Sequence, residues 1–147
     1  MRWPSIAAFS LLCLAANLWA ADLASLEQEP NLERRSQLAM DYANSALDSA
    51  RSAYQANDLE KTQAQLSDVG AAVDLAYHSL QQTGKEARRD PKFFKRTELS
   101  TRELLRRIEG LAQSMSFQDR SLAEKVHDRV AAIHDDLLQK IMAKKKK

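Results

Sequence analysis

Two histidines seven residues apart are the first side chains in this sequence that could do chemistry. His127 and His134 stand in Val126-His127-Asp128 and Ile133-His134-Asp135-Asp136, and a seven-residue step returns both to one side of a helix. Glu124-x-x-His127 also matches one of the two Glu-x-x-His elements that carboxylate-bridged di-metal bundles require. The second element is missing, because His78 has Asp74 four residues before it instead. Each histidine adjoins an apolar position of its helix, so it reads as a flank of the core and no metal ligand is expected. No Cys-x-x-Cys-His stands ready for covalent haem, no Gly-rich phosphate loop appears, and no Ser or Cys nucleophile has a recognisable setting. The sequence therefore names no catalytic residue and no cofactor. It predicts a protein that is not an enzyme.

The second chemistry-bearing group is cationic. Lys85, Arg88, Arg89, Lys92, Lys95 and Arg96 gather around Phe93 and Phe94, and the chain closes with four lysines at 144–147. A net charge of +2 conceals two opposite halves: residues 22–84 carry −6 and residues 85–147 carry +7. One consequence is mutual neutralisation of the halves inside a single fold, helped by solvated helix faces. The other is a contact surface for anions, in which cations with aromatic neighbours meet lipid head groups or polyanionic envelope polymers. In that reading the tail adds about 1 kcal/mol per lysine near an anionic membrane.

The compartment follows from the first twenty residues. Met1-Arg2 gives a short positive start, residues 6–18 an apolar run broken only by Ser10 and Asn17, and Leu18-Trp19-Ala20 a small-residue exit. That is the three-part pattern of a secretory signal. The run is too short for the roughly 20 apolar residues that span hydrocarbon, and acidic sequence follows it. Leu12 is too bulky a neighbour for Cys13 to act as a lipid-attachment cysteine. Cleavage is expected after Ala20, placing the protein outside the cytoplasm, in the periplasm or secreted. Export argues against nucleic acid as the everyday ligand. The exported part would hold 127 residues, one domain, with no cysteine to cross-link.

These side chains need a frame, and composition makes it helical. Glycine and proline are sparse, while Ala, Leu, Gln, Glu, Lys and Arg dominate. Residues 21–30 read as a flexible mature N-terminus and residues 31–142 as one helical domain, with a basic tail over 143–147. The first predicted helix covers about 32–56, capped by Asn31 with Glu33 at its positive start. Along it Ala39, Ala43, Ala46, Ala50 and Ala53 recur at steps of four and three, a seam on which a neighbouring helix can approach closely. Asn57-Asp58 breaks the helix and Asp58 caps the second, over about 59–82. The seam of that helix is Leu59, Thr62, Leu66, Val69, Val73, Ala76 and Leu80, and Gly84 takes the left-handed position after it.

The segment Ala50-x-x-Ala53-Tyr54-x-x-Asn57-Asp58-Leu59 locally resembles the joint between the two helices of a tetratricopeptide repeat. The likeness covers about ten residues, Thr62 departs from the small apolar residue of that pattern, and no second copy follows. It implies a helical hairpin and nothing of that family's peptide groove.

A third helix is predicted over about 91–115, with Asp90 capping and Pro91 at its first position, and with a seam of Phe94, Thr97, Thr101, Leu104, Ile108, Leu111 and Met115. Ser116-x-x-Asp119 and Ser121-x-x-Glu124 both fit a capping box, so the fourth starts near one of them and spans about 118–142. Its seam is Ala123, Val126, Val130, Ile133, Leu137 and Ile141. Four helices of about 30–38 Å with short joints predict an all-α, antiparallel up-down-up-down four-helix bundle made of two helical hairpins. The alternative is an elongated, coiled-coil-like pair of hairpins. Ala-rich seams bury little area, which a homodimer would offset. The functional expectation is an exported, non-enzymatic protein acting through contacts with a protein partner. Peripheral binding of anionic envelope surfaces, through residues 85–96 and the tail, is the alternative.

Overall fold

A computed structural model of the chain describes residues 22–143. The expected signal sequence, the cut at Ala20, Cys13, both tryptophans and the four-lysine tail lie outside them. Among the described residues the chain is all-helical: α1 (Leu23–Leu26), α2 (Leu32–Gln55), α3 (Leu59–Gln82), α4 (Lys92–Ser114) and α5 (Arg120–Met142). No helix among them is long and apolar enough to cross a membrane.

Residues 22–30 contain a short helix and a turn that leads into α2. Asp22 accepts a hydrogen bond from the Ala24 amide at 3.4 Å and so caps α1, whose Leu26 is buried. The guanidinium of Arg35 then donates twice to the Glu29 carbonyl, at 2.9 and 2.7 Å, fixing the approach to α2. Asn31 caps α2 by accepting from the Arg34 amide at 2.9 Å. At the far end Asn57 adopts φ 58°, a left-handed conformation that asparagine tolerates better than most residues. The Asp58 amide reaches back to the Ala53 carbonyl at 2.9 Å and the Asn57 amide to Tyr54 at 3.0 Å, closing a Schellman motif. Asp58 then caps α3 through the Lys61 amide at 3.0 Å. One residue thus ends a helix while the next starts another. Gly84, at φ 67°, takes the left-handed position after α3.

Two local expectations are corrected. Leu59, assigned to the second seam, is 45% exposed, because the first residue of α3 projects past the end of the core. Asp90 does not cap α4: the N-cap is Pro91, which has no side-chain cap bond, and the Asp90 carboxylate faces Lys85 Nζ at 3.3 Å. The joint between α4 and α5 uses Ser116-x-x-Asp119. Ser116 Oγ accepts from the Asp119 amide at 3.2 Å and donates to its carboxylate at 2.7 Å. Tyr54 of α2 braces the same turn, accepting from the Ser116 amide at 2.8 Å and donating to Asp119 at 3.1 Å.

The helices pack as pairs, α2 on α3 and α4 on α5. Arg35 faces Gln82 while Tyr42 faces Asp68, so α2 and α3 run in opposite directions. His134 faces Glu98 and Arg120 the Ala112 carbonyl, giving α4 and α5 the same relation. Across the pairs α2 lies against α4 and α3 against α5. All five seam alanines of α2 are buried. Ala39, Ala43, Ala46 and Ala50 share a cluster with Leu66, Val69 and Val73 of α3, Leu104 and Ile108 of α4, and Val126 and Val130 of α5. A smaller cluster of Leu80, Ala87, Phe94 and Leu137 closes the end that carries the 83–91 loop. Burying these side chains contributes on the order of 1.5–3 kcal/mol for each Leu, Ile, Val or Phe, and less for each alanine.

Candidate functional site

The basic segment 85–96 divides by what each side chain meets. Phe94 is 4% exposed and packs with Leu80, Ala87 and Leu137, so it is core and cannot serve as the surface anchor the sequence assigned to it. Its position on the third-helix seam already carried that answer. Phe93, half-buried, lies at the edge of the same cluster with Lys92 Nζ 5.3 Å and Lys85 Nζ 6.0 Å from its ring centroid. Such cation–aromatic contacts contribute about 0.5–1 kcal/mol at exposed sites. Lys85 is bound by two carboxylates, Glu33 at 2.5 Å and Asp90 at 3.3 Å. Those two hydrogen bonds to its ammonium hold the Lys85 pKa above the ordinary lysine value. Arg89 pairs with Glu86 at 3.1 Å.

Lys92, Lys95 and Arg96 differ from Lys85 and Arg89. All three are exposed on the first two turns of α4, and among the described residues none of them makes an ion pair. Arg88, partly buried, makes no ion pair among the described residues either and lines a cavity of about 750 Å³. Lys85, Arg89, Phe94, Gln81, Lys140 and Ala143 share that lining. Lys140 is partly engaged already: its ammonium meets Asp136 at 2.9 Å and the Tyr77 hydroxyl, which also bonds Asp136.

A buried polar layer that sequence reading did not find lies one turn further along α4. Glu98 is 5% exposed, its Oε1 meeting His134 Nε2 at 2.9 Å and Arg102 Nη2 at 2.5 Å. Ser36 of α2 and Thr97 share a hydrogen bond at 3.3 Å, and the Thr101 hydroxyl donates to the Glu98 carbonyl at 2.8 Å. Each side chain in this layer has a partner, which is the condition for a buried polar group to be tolerated. His134 thus ties α5 to α4. His127 is more exposed and borders a groove with Glu109, Glu124 and Arg120, and His78 bonds the Asp74 carbonyl at 2.8 Å. Among the described residues no three His, Cys, Asp or Glu side chains converge as a metal site.

The opposite charges of the two halves do meet. Lys85 with Glu33, Arg107 with Asp48, and Arg129 with Asp74 are ion pairs between residues 22–84 and 85–147. Arg107 also donates to Asn44 at 2.5 Å. Neutralisation thus takes the cations that face the first hairpin and leaves Lys92, Lys95 and Arg96 to solvent. No known family, curated protein or solved structure matches this chain.

Proposed function

We propose that this chain is an exported, non-enzymatic helical scaffold of the cell envelope or secretome that works by contact. We take its two hairpins as one up-down-up-down four-helix bundle. Its contact region is the basic end formed by the 83–91 loop and the start of α4. The observation that supports this reading is the division of the cations. Those facing the acidic hairpin are paired, whereas Lys92, Lys95 and Arg96 stand together in solvent with no carboxylate partner among the described residues. Like charges gathered without counter-charges repel one another, and an anionic partner relieves that repulsion. Because the region is exposed, its attraction is salt-dependent and falls as ionic strength shortens the Debye length.

Cross-linking in native envelope followed by capture tests the proposal, comparing the natural protein with the variant Lys92→Gln, Lys95→Gln, Arg96→Gln. The natural protein should capture an anionic partner at low salt, and the triple variant should lose it. An identical capture profile for the two proteins would overturn the assignment of the basic end.

A further inference from the structure

We infer that the outer face of α4, rather than the 83–91 loop or the Phe93-Phe94 pair, seats the molecule on an anionic lipid surface. This rests on the proposed contact role of the basic end. Lys92, Lys95, Arg96 and Leu99 follow one another at steps of three, one and three, which brings all four onto one strip about two turns long. All four are exposed, and Leu99, at 57%, is the more exposed of the two leucines, with Leu59, that lie open to solvent among the described residues. The carboxylates nearest in sequence do not weaken the strip. Asp90, two residues before Lys92, is engaged by Lys85, Glu98 points inward to His134 and Arg102, and Glu103 is engaged by Arg106, one turn beyond Leu99. The strip is therefore three cations, without an ion pair among the described residues, that lead to one exposed aliphatic side chain, with a neutral pair beyond it.

That combination selects the partner. A soluble polyanion or an acidic protein segment rewards the three cations and gains nothing from Leu99. An anionic bilayer rewards both, since cations sit among head-group phosphates while an aliphatic side chain reaches the acyl boundary. A helix face is convex, which suits a deformable flat surface better than a second rigid convex one. Phe94, buried in the end cluster, has no part in this contact, and Phe93 stays at its edge beneath Lys92.

The test uses the purified exported protein with phosphatidylcholine vesicles, with and without phosphatidylglycerol, in low salt. Soluble polyglutamate serves as a second probe. Flotation should show binding only to the phosphatidylglycerol vesicles. The variant Lys92→Gln, Lys95→Gln, Arg96→Gln should lose on the order of a hundredfold in partitioning, from about 1 kcal/mol per cation. Leu99→Ser should weaken vesicle binding several-fold and leave polyglutamate binding unchanged, and its thermal melt should match the natural protein because Leu99 lies outside the core. If Leu99→Ser binds vesicles as well as the natural protein while the triple variant does not, the lipid inference fails and a purely electrostatic contact stands. If the natural protein binds neither probe, the contact role of the basic end falls with it.

Discussion

At the scale of single residues, Glu98 shows what a linear reading misses. Its neighbours in sequence are a buried threonine and an exposed leucine, and a glutamate on a helix is ordinarily solvated. What buries it is His134, 36 positions away, together with Arg102 one turn on. Replacing Glu98 by alanine leaves the part-buried His134 Nε2 without its partner while the exposed Arg102 turns to solvent, so stability should fall by about 1–3 kcal/mol, with Glu98→Gln losing less because it keeps an acceptor. Urea unfolding of the two variants measures the difference, and equal losses would show that the hydrogen bonds do not matter. Tyr42 offers a pH-dependent counterpart. Burial, first, and then the Asp68 carboxylate that its hydroxyl approaches at 3.2 Å raise its pKa above 10.0. The folded state therefore keeps this proton longer than the unfolded chain. The stability it contributes is fully present below about pH 10 and is lost as pH rises through the folded value. Tyr42→Phe should flatten that alkaline decline, and its difference spectrum should place the missing phenolate band above the pH of a free tyrosine. A band at or below it would contradict the contact with Asp68.

At the scale of elements the joints were the most legible part. Asn57-Asp58 and Gly84 carry local chemistry that is nearly independent of the rest of the fold, so their helix ends fall where the residues say. Asp90-Pro91 looked equally clear, yet Lys85 competes for the Asp90 carboxylate, and a neighbouring ammonium outside the helix took the place of the cap. Phe94 illustrates the opposite lesson. Its place on the α4 seam and its place in the basic cluster made conflicting claims, and burial of a large ring, being worth more than an exposed cation–aromatic contact, decided between them. The alanine face of α2 yields the prediction for this level. Ala46 is 4% exposed within the main core cluster, so Ala46→Leu must displace packed neighbours and should cost about 1–3 kcal/mol. A change within about 0.5 kcal/mol in urea unfolding is what a surface position would give, and it would rule out close packing on that face.

For the whole molecule, two hairpins were readable from two short joints, but their docking was not. It depends on pairs such as Ser36 with Thr97, Arg107 with Asp48 and Arg129 with Asp74, separated by 55 to 61 positions and built from residues that look like ordinary surface polar groups. The charge asymmetry of the halves was visible in the sequence; which cations it would consume was not. The expected export of the chain bears on the described fold at its first cap. Asp22 accepts from the Ala24 amide, and its carbonyl accepts from Ser25 Oγ at 2.7 Å, so the cap of the first described helix lies two residues after the expected cut at Ala20. Cleavage there would remove the expected signal and keep the Asp22 cap of α1, whereas a cut beyond Asp22 would remove that cap. Intact mass of the exported protein should therefore correspond to a chain beginning at Ala21, with no tryptophan fluorescence, because Trp3 and Trp19 both precede the cut. A mature species that retains either tryptophan would overturn the cleavage assignment, and with it the compartment in which the basic end is proposed to find its partner.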